Sequence, residues 1–314
     1  LISANEHFRS ITSGNWNALL TWEMSTNGGS IWFPAIVTPS DTSGTITVRS
    51  PNTVTVTANV NADEVAVNSG GTLSVNNSII LTILDGAGTD LYNLGSVTGD
   101  GTVQTKGAGT VVITRNTNNF SASLKVNTGN TNLYSDVTPF DAVIKGSITV
   151  DAGAVLTGRT GAYNIFAYNS VTNNGTIAGI NSSAFTVKGS SMTNVGSVSI
   201  NTLNFDSVTS LSGSGTFTGQ DIVIGATGNV TLLGNVSFSP VSSFTINTGG
   251  VFNPGSKTFT FTSGTFVLNS GATVAGSGPS AGTMQTQGTV SFDFKTGAVF
   301  NSALKINTGT LTAY

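Results

Sequence analysis

Phe244-Thr245-Ile246-Asn247-Thr248-Gly249 returns a short way downstream as Phe266-Val267-Leu268-Asn269-Ser270-Gly271. In each copy an apolar residue, any residue and a second apolar residue lead into Asn, a small residue and Gly. Val65-Ala66-Val67-Asn68-Ser69-Gly70 and Ile148-Thr149-Val150-Asp151-Ala152-Gly153 keep the pattern, and a looser copy ends at Gly228. An apolar residue follows two or three positions on, at Leu73, Val155, Val251 and Val274. The physical reading is strand, tight turn, strand. Asn and Gly tolerate positive φ, and the Asn side chain can bond the backbone at a corner. Gly228, Gly249 and Gly271 recur about every 22 residues, the length of one coil of a β-solenoid.

A longer repetition lies over this one. Leu124-Lys125-Val126-Asn127-Thr128-Gly129 returns as Leu304-Lys305-Ile306-Asn307-Thr308-Gly309, an offset of 180. Gly101-Thr102-Val103-Gln104-Thr105-Lys106-Gly107 returns as Gly282-Thr283-Met284-Gln285-Thr286-Gln287-Gly288, an offset of 181. Self-similar chains stack units that cannot bury an apolar face alone. At about 22 residues per coil the length corresponds to about 14 coils. Tyr314 falls where Tyr134 falls in the earlier copy, so the sequence is expected to stop inside a repeat.

Alternation with period two runs through Thr45-Ile46-Thr47-Val48, Thr53-Val54-Thr55-Val56-Thr57 and Thr258-Phe259-Thr260-Phe261-Thr262. Such a period turns one face inward and the other toward water. No sustained helical apolar pattern competes with it. A hairpin sandwich would alternate equally well, but Asn-Gly and Asp-Gly pairs are rare, and the motif recurs at coil length rather than at sandwich spacing. The expectation is an all-β, single-stranded, right-handed parallel β-helix. Residues 1–40 form an N-terminal cap and 41–314 the repeats, with two related halves at about 41–134 and 221–314. Inward residues should stack in apolar columns, with Asn ladders at equivalent corners.

Composition agrees. Charged residues make up 8% of the 314, against about 25% in an ordinary globular chain. Thr, Ser, Asn and Gly supply the polarity, a surface suited to the outside of a cell. The many β-branched residues and 17 Phe argue against disorder. There is no cysteine, which excludes disulfides and thiolate metal sites. The 11 basic residues are scattered, which argues against nucleic-acid binding. No apolar run approaches a membrane span. Leu1 to Glu6 has neither a basic start nor an apolar block, so a mature form or a fragment is expected.

Ser13-Gly14-Asn15-Trp16 followed by Thr21-Trp22-Glu23 resembles the opening of repetitive surface proteins secreted by Bacteroidota, as does the Pro34 and Pro39 loop before the first alternating strand. Leu211-Ser212-Gly213-Ser214-Gly215-Thr216-Phe217 and Val97-Thr98-Gly99-Asp100-Gly101-Thr102-Val103 are similar to rungs of autotransporter-type β-helices and large adhesins. The resemblance implies type IX export and a place on the extracellular cell surface. It also implies work in attachment, gliding or as a stalk. Partners would be the outer-membrane secretion and attachment machinery, surface polysaccharides or other copies of the chain. The family's C-terminal secretion domain and a distinct binding head are not seen in the sequence.

Residues for chemistry are few, and neither a cofactor nor an enzyme is expected. His7 is the only histidine, too little for a Ser-His-Asp device or a histidine-based metal site. β-Helix folds do carry polysaccharide hydrolases and lyases, so carboxylates about one coil apart are candidates, Asp206 with Asp221 and Asp136 with Asp151. Asp151 holds a corner slot that Asn holds elsewhere, and four Arg are few for a lyase. Asp85-Gly86-Ala87-Gly88-Thr89-Asp90-Leu91-Tyr92-Asn93 fits most of a calcium-binding nonapeptide, with Asp85 and Asp90 as ligands, but has no tandem copy. Trp16, Trp22 and Trp32 offer ring faces to a sugar or plug the end of the stack, and the plug is preferred. Asp206-Ser207-Val208 resembles a Bacteroidota O-glycosylation acceptor at Ser207. An ice-binding face would need Thr pairs recurring on one flat face. Thr53, Thr55 and Thr57 have no counterparts one average coil later, so none is expected.

Overall fold

The computed structural model describes residues 6–86, 88–113, 120–135, 141–158, 164–179, 184–276, 282–307 and 311–313. They are almost wholly β, with one short 3-10 turn at Leu19–Thr21. Among them no helix is long and apolar enough to cross a membrane. The chain divides into two compact units, Leu1–Thr157 and Gly158–Tyr314.

In the first unit each early coil has three strands. One coil runs through Ile46–Val48, Thr53–Val56 and Val60–Ala62. The next runs through Val65–Val67, Thr72–Val75 and Ile80–Leu84, and a third through Leu91–Asn93, Ser96–Thr98 and Thr102–Lys106. Every strand pairs in parallel with its counterpart one coil on, as in Ile46 with Val65, Val54 with Leu73 and Ala62 with Ile83. Parallel stacking rules out the hairpin sandwich and makes the fold a β-solenoid. Alternation then sets the interior. Val54, Leu73 and Val97 form one inward column and Leu81, Val103, Leu124 and Ile148 another, all at 0% exposure.

The second unit keeps this plan, with two faces often joined by one continuous strand, as in Ser197–Phe205, Thr216–Ile224 and Val236–Ile246. Some of its columns are aliphatic, such as Ile224, Ile246 and Leu268, and others are aromatic. Phe217, Phe238 and Phe261 lie one above another, as do Phe244, Phe266 and Phe292. Phe244 and Phe266 are stacked at 5.3 Å with an 8° interplanar angle.

The corner motif forms tight turns. The Gly71 N–H donates to the Asn68 carbonyl at 2.8 Å, and Gly250 and Ala272 do likewise to Asn247 and Asn269. Gly70, Gly249 and Gly271 take φ of 81°, 84° and 73°, the third position of a type II turn, where only Gly is free of strain. Asn269 Nδ2 donates to Asn247 Oδ1 at 3.1 Å, so stacked corners also share an amide ladder.

The described residues make about 11 turns, fewer than 14, because coils are unequal and the lead-in consumes chain. The pairing of Met192 with Leu211 closes a short coil, while that of Phe266 with Phe292 closes a long one. The long-range near-copies prove to be stacked pairs. Gln104 pairs with Lys125 in the first unit, and Gln285 with Lys305 in the second. A two-rung piece therefore recurs with its register intact. Tyr314 lies outside the described residues.

Candidate functional site

Acidic groups of the first unit gather at one corner, between Val60–Ala62 and Val65–Val67 and again one coil on between Ile80–Leu84 and Leu91–Asn93. Here stand Asp63, Glu64, Asp85 and Asp90. Asp90 is 2% exposed; its carboxylate accepts the Gly86 N–H at 3.2 Å and the N–H of Thr110 from the following coil. Burial pushes its pKa above the ordinary aspartate range, against backbone hydrogen bonds that favour the charged form. Burial raises Asp63 too, helped by repulsion from Glu64, Asp90, Asp85 and Asp41, and its Oδ1 has no hydrogen-bond partner. Thr45 Oγ1 donates to Glu64 Oε2 at 3.1 Å.

This geometry gives the nonapeptide segment a part in the fold. Asp90 ties two coils together, and a Cβ at Gly86 would press on the Asp63 carboxylate, which would have to shift. Ala87 lies outside the described residues. Among those described, no group of three or more His, Asp or Glu is disposed to hold a metal.

The other carboxylates are corner fittings. Asp151 accepts Asn127 Nδ2 at 2.7 Å and meets Lys125 Nζ at 3.0 Å. Asp136, its proposed companion, lies outside the described residues. Asp206 and Asp221 are not stacked: Asp221 pairs with Thr202, four positions before Asp206, which separates the acids by about 13 Å along the strand. The interval between these two acids is shorter than any described coil, so it carries the second acid to a different part of the rung. Asp206 faces Lys188 at 3.9 Å, and Asp221 accepts Ser243 Oγ at 2.7 Å.

The tryptophans belong to the lead-in. His7–Ser10 pairs in parallel with Ile46–Val48 but antiparallel with Trp22–Ser25, which in turn pairs antiparallel with Phe33–Pro34. Trp16 and Trp22 are 1% and 0% exposed and meet edge to face at 5.4 Å. Their indole N–H groups donate to the Pro39 carbonyl at 3.1 Å and the Trp16 carbonyl at 2.8 Å. Burial leaves neither ring a face for a sugar. Trp32 is half-buried, with the Arg9 guanidinium 4.2 Å above its ring and Arg9 paired to Glu23 at 2.7 Å. His7 Nδ1 accepts the Thr45 N–H at 3.2 Å. Ser207 is half-buried at the bend after Ser197–Phe205, beside exposed Val208.

Hydroxyl pairs recur where coil counting hid them. Thr53 and Thr55 stand beneath Thr72 and Ser74, which stand beneath Ser96 and Thr98. The two steps differ in length, because register follows backbone ladders while the corners absorb varying amounts of chain. In the second unit Ser197 and Ser199 pair with Thr216 and Thr218, which pair with Ser237 and Ser239. Thr260 and Thr262 follow, the latter donating to Ser239 Oγ at 2.5 Å. A shallow cleft of about 220 Å³ borders this face, lined by Asn201, Gly219 and Gln220 among others.

One class of position escaped sequence reasoning. Asn173 and Asn194 point inward at 0% exposure; Asn173 Nδ2 donates to Asn194 Oδ1 at 2.8 Å and to the Ser197 carbonyl, and Asn194 Nδ2 to the Thr216 carbonyl. The available signal is Asn-x-Gly-Ser/Thr, at Asn93, Asn173 and Asn194. Comparison with family models, curated proteins and solved structures returned no match.

Proposed function

We propose that the chain is a non-catalytic structural and adhesive module of the cell surface, a stiff spacer segment of a larger secreted protein of the Bacteroidota adhesin type. The observation that carries this reading is the parallel ladder repeated rung after rung in each unit. Such a ladder loads many backbone hydrogen bonds together, and its stability accrues by nearest-neighbour stacking. The charge-poor exterior, rich in Thr, Ser and Asn, suits exposure outside the cell, and the resemblance in the Trp16 and Trp22 segment supports type IX export. Its partners are the outer-membrane attachment machinery and surface polysaccharides or further copies. Attachment or gliding is the work assigned to it.

Pulling single molecules between the two termini tests the mechanical part. Release coil by coil, in steps of about 75 Å, is expected for about 22 residues at full extension. Collapse at low force without steps removes the spacer reading. One observation favours a second reading, polysaccharide cleavage: the raised pKa values of Asp63 and Asp90 at one corner. New reducing ends from a panel of acidic and neutral polysaccharides, abolished by Asp63→Asn, would replace the first reading with the second.

A further inference from the structure

Both units carry a flat strand face whose outward positions are paired hydroxyls. On the Ser197, Thr216 and Ser237 face the register is unbroken over four rungs, and no outward residue of that face from Thr176 to Thr262 is charged or aromatic. The Thr53, Thr72 and Ser96 face repeats the arrangement over three rungs. Two residues along a strand place hydroxyls about 6.6 Å apart, and successive rungs place them about 4.8 Å apart. The result is a rectangular net.

Several hydroxyls of the larger net are held. Ser197 Oγ donates to Thr176 Oγ1 at 3.2 Å, Thr218 Oγ1 to the Val198 carbonyl at 3.2 Å and Thr262 Oγ1 to Ser239 Oγ at 2.5 Å. These bonded side chains have little freedom left to lose on binding. A hydroxyl has one donor and two acceptor sites and so pairs with water in either sense, which Lys or a carboxylate does not.

We propose that these two faces bind ice. A periodic net of weak donors and acceptors gains affinity only against a partner that is itself periodic, flat and uncharged. Ice meets all three conditions, with repeat distances of the same order as the net. Charged residues would hold their own hydration shells out of register with the lattice, and this face has none. A crystalline polysaccharide is flat as well, but its sugar faces call for aromatic platforms, which this face also lacks. The inference goes beyond the spacer reading and stands or falls whether or not the chain serves as a stalk.

The test is partition of the full chain into slowly grown ice, with recrystallisation rate as a second readout. Thr218→Lys with Ser239→Lys breaks the larger net, and Ser74→Lys the smaller. Thr231→Lys, on another outward face of the second unit, is the control. Circular dichroism checks that each variant is folded. Enrichment of the parent chain and of the control is expected, with a several-fold loss in the triple variant and retention in Ser199→Thr with Ser237→Thr. Exclusion of the folded parent chain from ice overturns the proposal, as does undiminished capture of the triple variant. Equally decisive against it is binding to crystalline cellulose or chitin, lost in the same variant, without enrichment in ice.

Discussion

The two units solve the same packing problem with different side chains. Of the 17 Phe, only Phe8, Phe33, Phe120 and Phe140 belong to the first unit. Its columns are Val, Leu and Ile, each touching like residues above and below. The second unit fills its interior with rings that also reach across from face to face. Phe252 lies 4.8 Å from Phe259 and 5.6 Å from Phe244, and Phe261 meets Phe266 at 5.9 Å. The aromatic columns thus form a mesh of ring contacts between faces, and aliphatic columns are expected to couple less across faces. The comparison teaches that the coil requires an inward apolar residue at a given register position, not a particular one. What the choice alters is how far a defect spreads.

That contrast can be broken by mutation. Phe266→Ala should cost about 3–5 kcal/mol, and with Phe244→Ala the pair should couple by about 0.5–3 kcal/mol. Leu73→Ala should cost about 2–5 kcal/mol but add simply with Leu124→Ala, which shares no column with it. Hydrogen exchange read rung by rung distinguishes the outcomes. Strong coupling in the aliphatic pair, or none in the aromatic pair, removes the distinction.

A smaller effect tests how closely rungs approach. At Gly196 a Cβ would collide with the Gly175 carbonyl, so Gly196→Ala should destabilise the second unit by about 1–3 kcal/mol of overpacking strain. Gly153→Ala meets no neighbour within 4 Å, but φ of 79° strains it locally, so its cost should come from backbone alone. Equal thermal shifts in the two variants would show that rung spacing does not matter.

The acidic corner gives the first unit a pH response. The folded pKa values of Asp63 and Asp90 are raised, so the native state holds protons that the unfolded chain has already released. Stability from these groups is present below the ordinary aspartate range and is lost as pH rises through the folded values. Thermal melts followed from about pH 4 upward should show this decline. Asp63→Asn should flatten the curve and raise the midpoint at neutral pH; a steeper decline would contradict the assignment. The smallest change is expected from Lys125→Ala, which opens a partly exposed pair with Asp151 worth about 0–1 kcal/mol.

Much of this architecture was legible because its signals are local. The period of two places Val54, Leu73 and Phe259 inward, and the Asn-small-Gly triplet marks corners whose glycines do take positive φ. Register was not legible. It depends on how much chain each corner absorbs, so Thr72 and Ser74 were missed above Thr53 and Thr55, and Asp206 was set opposite Asp221. The buried Asn173 and Asn194 escaped for another reason. Asn reads as a turn residue, and the Asn-x-Gly-Ser/Thr pattern around it is short. The Gly that stands two positions after each was the available hint, and at Gly196 close backbone approach leaves room for nothing larger.

The outermost strand of the lead-in, Phe33–Pro34, is two residues long and ends on an exposed proline. Proline brings no N–H, and Pro34 holds the outward position of this strand, since the Ala35 N–H turns inward to the Trp22 carbonyl; a foreign β-segment arriving at that edge finds the outward donor missing. A protein built from stacked parallel strands is at constant risk of templating its neighbours into amyloid. At this one edge the risk is met by an imino acid placed where an intruder would dock.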